Sequence, residues 1–131
     1  MTAEAAPVAD DAARVEHRCA VLGSPIAHSL SPALHEAAYA ELGLTGWSYG
    51  RAEVRADGLA GFVEGLDATW RGLSLTMPLK VAVLELAGAR VSALAALAGA
   101  GNTLLLEDGG RRVENTDVPG LVWAVQQARE A

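Results

Sequence analysis

Three strand-to-helix junctions in this chain share a design, an oxygen-bearing side chain followed within two residues by a proline. The pairs are Ser31 with Pro32, Thr76 with Pro78, and Asp117 with Pro119. Ser, Thr and Asp are favoured at helix N-caps, and proline fits the first helical turn, where no N–H is needed. Each junction therefore reads as a strand feeding a helix, with the oxygen-bearing side chain as the cap. Strands that alternate with helices in this way pack as a parallel sheet covered on both faces. The expected fold is α/β, a three-layer sandwich with a mostly parallel mixed sheet of about six strands flanked by helices.

The rest of the pattern agrees. Residues 18–22, 47–54 and 72–75 read as strands. Between Pro32 and Leu42 the apolar positions Leu34, Ala37, Ala38 and Leu42 recur at helical spacing, and Gly43 ends the run. Helices are expected over 58–66, 79–86, 91–97 and 118–131. Residues 103–106 and 112–114 read as two strands joined across Asp108-Gly109-Gly110, a hairpin signal. The first seventeen residues carry acids where a secretion signal would carry bases and an apolar run, and are expected to form a disordered leader. Residues 18–131 then form one domain.

Composition excludes several classes of function. Ten basic against sixteen acidic side chains give a net charge of −6. Phosphate binding draws on clustered Lys and Arg, so a nucleic-acid partner is not expected. The one basic pair, Arg111-Arg112, follows a turn and reads as a solvated edge. A single cysteine, Cys19, rules out an intramolecular disulfide and a cysteine-based zinc site. His28 and His35 lack a third ligand at metal spacing, so no metal is expected. No apolar run approaches the length that spans a bilayer, and a cytoplasmic protein is expected.

Junctions of this kind lie at the carboxyl ends of parallel strands, where ligands bind in open α/β sheets. Helix capping does not account for the polar groups beside the caps, namely Ser29, Lys80 and Asn115. Helix starts offer free N–H groups and partial positive charge, which suits an anionic, hydroxyl-rich small molecule. Lys80 stands near the positive end of its helix, where an ammonium gains nothing in stability. Asp117 as its partner would fix it in place and make a pair able to pass a proton. Asn102, opening a strand after Gly101, reads by itself as a turn residue. Gly99-Ala100-Gly101 is not a dinucleotide fingerprint, because Leu104 replaces the third glycine and a strand follows instead of a helix.

Four segments together resemble one family. Gly23-Ser-Pro-Ile-Ala-His-Ser-Leu-Ser-Pro-Ala-Leu-His35, Ser74-Leu-Thr-Met-Pro-Leu-Lys80, Gly99-Ala-Gly-Asn-Thr-Leu104 and Asn115-Thr-Asp-Val-Pro-Gly120 are similar, in order and spacing, to the substrate-domain signatures of shikimate dehydrogenase. The resemblance implies reduction of 3-dehydroshikimate to shikimate with NADPH, in aromatic amino-acid biosynthesis. It implies that Ser29 and Ser31 bind the substrate carboxylate, and that Thr76, Asn102 and Asp117 hold ring hydroxyls. Lys80 and Asp117 would be the catalytic pair, with the lysine meeting the developing alkoxide as hydride leaves the nicotinamide. Ser31 is expected both to cap its helix and to face the ligand.

The chain departs from the family's pattern in three places. Ser74 stands where asparagine usually opens the second motif, and Glu36 follows His35 where asparagine is usual. The family also continues into a Rossmann domain that binds NADP, whereas this chain stops in what resembles the connecting helix. The expectation is therefore a substrate-binding and catalytic half that does not turn over alone, with a separate or truncated NADP-binding domain as partner. A non-catalytic module for shikimate- or quinate-like acids is the alternative, as is half of a quinate or aminoshikimate dehydrogenase.

Overall fold

The structure, a computed structural model, describes residues 14–131. Most of the expected leader lies outside the described residues. Its last four residues do not: His17 opens the first strand, and the Glu16 and His17 N–H groups both donate to the Gly46 carbonyl.

Among the described residues, six strands form one sheet: β1 (His17–Gly23), β2 (Trp47–Glu53), β3 (Trp70–Leu75), β4 (Ala89–Val91), β5 (Thr103–Glu107) and β6 (Gly110–Glu114). Their order is β2-β1-β3-β5-β6-β4, and β5 alone runs against the others. Five α-helices join or follow them: α1 (Ser31–Leu42), α2 (Leu59–Glu64), α3 (Leu79–Ala82), α4 (Ala93–Ala98) and α5 (Asp117–Glu130). The hairpin forms between β5 and β6, with Glu107 paired to Gly110 across Asp108 and Gly109.

Side chains alternate across the sheet, as strand geometry requires. Ala20, Leu22, Leu73, Leu75, Leu104 and Val113 point to one face and meet Leu59 and Val63 of α2, Leu79 of α3 and Ala95 of α4. Val21 and Tyr49 point to the other face, where Cys19 and Tyr39 of α1 join them. Helices thus cover both faces, giving the expected three layers.

Two expected elements differ. The helix expected over 91–97 is instead the edge strand β4 followed by α4. Val91 pairs with Val113 of β6, and Ser92 is extended (ψ 160°), with its side chain accepting from the Ala95 N–H at 3.1 Å. A parallel partner more than twenty residues away overrides the local helical spacing. The helix over 79–86 divides into α3 and a short 3₁₀ turn, Val83–Glu85. The Arg111-Arg112 pair is also less free than its solvated-edge reading. Arg112 is half-buried and reaches Glu107 and Glu114 at 3.1 and 2.8 Å, while Arg111 reaches Glu64 at 3.4 Å. Among the described residues, no helix is long and apolar enough to cross a membrane.

Burial raises the pKa values of Cys19, Tyr39 and Tyr49, which cluster between β1, β2 and α1. Each is held in its neutral form in the fold, so the unfolded chain loses these protons first as pH rises. Stability is therefore complete below the unfolded values and falls as pH climbs past about 9 to 10. Urea midpoints measured from pH 7 to 11 are expected to stay level to about pH 8.5 and then drop.

Candidate active site

The carboxyl ends of β1, β3 and β6 and the start of β5 lie at one edge of the sheet, and an open cleft of about 680 Å³ occupies that edge. Ser29, Ser31, Thr76, Lys80, Asn102 and Asp117 all line it, so four separate segments deliver every site residue expected from the sequence to one place. Close backbone approaches allow this. A Cβ on Gly23 would collide with Thr76 Cγ2, and one on Gly101 with Val113 Cγ1. Each glycine lets its loop lie against the neighbouring strand end.

The capping expectation fails in an informative way. Ser31 and Asp117 are the first residues of α1 and α5, not their caps, and neither makes a side-chain cap bond. Nor does Thr76 cap α3 by its side chain; its carbonyl accepts from the Leu79 N–H at 2.8 Å. Neighbours do the work instead. Ser29 Oγ accepts from the Ser31 N–H at 3.2 Å, and Asn115 Oδ1 accepts from the Val118 N–H at 2.9 Å. The Ser31 and Asp117 side chains are thereby released into the cleft. Since one lone pair of Ser29 Oγ is used in this turn, its own proton remains free to be donated.

Asn115 is buried and also donates to the Ala100 carbonyl at 2.9 Å, tying the start of α5 to the loop before Asn102. Asn115→Ala removes both bonds and leaves the half-buried Ala100 carbonyl without this donor. A loss of about 1–3 kcal/mol in unfolding free energy is expected by urea titration.

Lys80 Nζ donates to Asp117 Oδ2 at 2.8 Å. Asn102 Nδ2 donates to Asp117 Oδ1 at 3.2 Å and to Thr116 Oγ1 at 2.8 Å, while its Oδ1 accepts from the Thr116 N–H at 2.9 Å. Both carboxylate oxygens are therefore held, and the lysine is held by one of them. Their side chains are 40% and 52% exposed. An exposed pair contributes at most about 1 kcal/mol to stability. The fold does not need this pair, but a ligand carrying hydroxyl or carbonyl oxygens would meet a positioned ammonium, a carboxylate and an amide.

Sequence reasoning missed a second group of residues. His35, stacked on Tyr49 at 3.9 Å between ring centres, donates from Nδ1 to the Ser31 carbonyl at 2.9 Å. Tyr49 Oη lies 2.6 Å from Ser74 Oγ, and Glu36 Oε2 accepts from the Tyr49 N–H at 2.9 Å. Both departures from the family's pattern, Ser74 and Glu36, thus meet on one tyrosine. Arg51 donates to the Ser29 carbonyl at 2.9 Å. His28, His35, Ser74, Thr103 and Thr116 also line the cleft. Among the described residues, no group of three His, Cys, Asp or Glu side chains could hold a metal ion.

Known proteins share this arrangement of chain. The family described as the shikimate dehydrogenase substrate binding domain matches residues 21–104. An NADP(+) shikimate dehydrogenase of Methanothermobacter thermautotrophicus is 41% identical over 112 residues, covering 85% of this chain and 39% of that protein. The shikimate dehydrogenase structure of Mycobacterium tuberculosis superposes with a TM-score of 0.79 at 45% identity, over 84% of this chain and 42% of that one. The Thermus thermophilus enzyme, solved in complex with NADP(H) and shikimate, gives a TM-score of 0.77 at 41% identity, covering 86% and 42%. The chain spans about two-fifths of the length of these relatives. With the family's match extending over more than half of its residues, and the same fold beneath it, the chain belongs to the shikimate dehydrogenase substrate-binding domain family.

Proposed function

We propose that this chain is the substrate-binding and catalytic part of an NADP-dependent shikimate dehydrogenase, which reduces 3-dehydroshikimate to shikimate. One observation carries the reading: Lys80 and Asp117 stand 2.8 Å apart in the cleft that also holds Ser29 and Ser31. A carboxylate at the two serines would direct a cyclohexene ring toward Asn102, Thr76 and the ion pair, which line the same cleft. The Lys80 ammonium would donate a proton to the ring oxygen as it passes from ketone to alcohol, and its positive charge would steady the oxygen on the way. Asp117 orients that ammonium and accepts from a neighbouring ring hydroxyl. Being partly exposed, Lys80 can regain its proton from water.

Gly99-Ala100-Gly101 closes α4 and leads into β5, not into a helix whose N-terminus could take a pyrophosphate. NADP would be held by a domain outside the described residues, and residues 18–131 by themselves would bind substrate without turnover. A purely ligand-binding module would have no use for a proton-passing pair that adds so little to stability. The unpaired Cys19 suits a reducing compartment, and we place the activity in the cytoplasm.

Calorimetric titration with shikimate, with quinate, and with a neutral cyclohexane polyol tests this. Saturable binding of shikimate at millimolar concentration or below, with no heat from the neutral polyol, is expected. Equal binding of all three would contradict a carboxylate-reading site, and quinate preferred over shikimate would reassign the substrate.

A further inference from the structure

Ser29 is held at both ends. Its Oγ accepts from the Ser31 N–H at 3.2 Å, and its carbonyl accepts from Nη2 of Arg51 at 2.9 Å. Arg51 stands on β2, two residues before Glu53, whose carboxylate accepts from the Ser24 hydroxyl at 2.7 Å. Strand periodicity puts Tyr49, Arg51 and Glu53 on the face that α1 covers. The loop from Ser24 to Ser29 is therefore tied to β2 at its two ends, and between them Ile26 is buried against Val21 and Tyr49.

Holding a carbonyl does not require a guanidinium. A neutral amide donates too, and it brings no charge out of water. Arg51 is half-buried, its Nε is withdrawn from solvent without a hydrogen bond, and among the described residues it forms no ion pair. Carboxylates are not scarce, since the chain has sixteen acids to ten bases. Glu53 is engaged by Ser24, and Glu36 accepts from the Tyr49 N–H. A cation partly removed from water without a counter-ion costs the fold free energy, which an anion bound nearby would offset.

The seat in front of Arg51 lacks that charge. Two serine hydroxyls are neutral and would serve an ester as well as an acid. Lys80, the cation of the cleft, is already matched by Asp117. Arg51 is the cation bonded to the seat itself, yet it is not part of the cleft's lining. It therefore acts on a ligand through Ser29 and through its field.

We infer that Arg51 is a positioning residue for the carboxylate seat: it fixes Ser29 by its carbonyl and supplies, from behind the cleft wall, the positive charge that makes the two serines prefer an acid to its neutral analogue. The inference rests on the proposed function and deepens it, because it states what reads the charge of the substrate.

The test is a calorimetric binding series on the chain with shikimate, and with its methyl ester measured by displacement of shikimate. The proteins are wild type, Arg51→Lys, Arg51→Gln and Arg51→Met, with urea midpoints checking that each is folded. Affinity for shikimate is expected to follow charge. Arg51→Gln and Arg51→Met should both bind about tenfold more weakly, the order of a Coulomb attraction across roughly 10 Å at an effective dielectric of about 20. Arg51→Lys, which keeps the charge and a donor, should stay within about threefold of wild type. The preference for acid over ester, which a merely structural tie would not set, should shrink in the two neutral variants and persist in Arg51→Lys. Wild-type affinity in Arg51→Gln or Arg51→Met would overturn the inference and leave the proposed function in place. So would an Arg51→Lys protein as weak as the neutral variants, or equal losses for acid and ester. Absence of shikimate binding by the wild type would overturn the proposed function, and this inference with it.

Discussion

Lys80→Met is expected to lower turnover by about 10²- to 10⁴-fold, the range for loss of a positioned general acid, in an enzyme assembled from this chain and an NADP-binding domain. Shikimate affinity should fall by less than about tenfold, because the ammonium gains most where the ring oxygen develops charge. Initial rates with 3-dehydroshikimate and NADPH would separate the two, with kcat carrying the loss and KM little of it. Asp117→Asn keeps an oxygen for Lys80 but removes the charge that holds it, so a smaller loss in kcat is expected. The fold should barely notice either change. The pair is half in solvent, and α3 and α5 are anchored by Leu79 and by Asn115. A Lys80→Met protein that turned over normally would leave the cleft without a proton donor and refute the assignment.

Leu104→Ala is expected to destabilise the domain by about 2–5 kcal/mol, a large part of the roughly 5–15 kcal/mol that holds most domains together. Leu104 is fully buried on β5, paired to Leu73 of β3 on one side and to Val113 of β6 on the other. It is the apolar joint where the reversed strand meets the parallel part of the sheet, and its neighbours cannot easily collapse into the space left. Asn102 lies two residues before it, so the cleft should loosen as the joint does. Urea unfolding followed by circular dichroism measures the first effect, and shikimate affinity the second. A shift below about 1 kcal/mol would mean that the core repacks around the gap.

Local pattern carries most of the architecture. Strand–proline–helix junctions are short-range signals, and they place three of the five co-directional strands, the cleft at their ends and the residues that line it. The same signals mislead about detail. Ser31 and Asp117 have the composition of caps, yet Ser29 and Asn115 fill that role, because a side chain two residues earlier reaches the free N–H as well. Choosing between them depends on backbone angles that composition does not state. The strand β4 was hidden because its three residues have no pattern of their own and exist through pairing with β6. Tyr49 was hidden for a related reason. It reads as one more inward residue of β2, and its partner Ser74 becomes its neighbour only through the sheet order β2-β1-β3. The Lys80–Asp117 pair is legible because its charges are complementary and both stand at helix starts, so chemistry bridges a sequence separation of 37.

The central claim is that four segments form one ready-made seat for a hydroxylated carboxylate. Backbone amide shifts of the chain, followed by NMR during titration with shikimate, test it most directly. The account requires the changes to cluster at residues 29–31, 76–80, 102 and 117, and to saturate together with a single affinity. No change up to millimolar shikimate, or changes scattered away from these four segments, would contradict it.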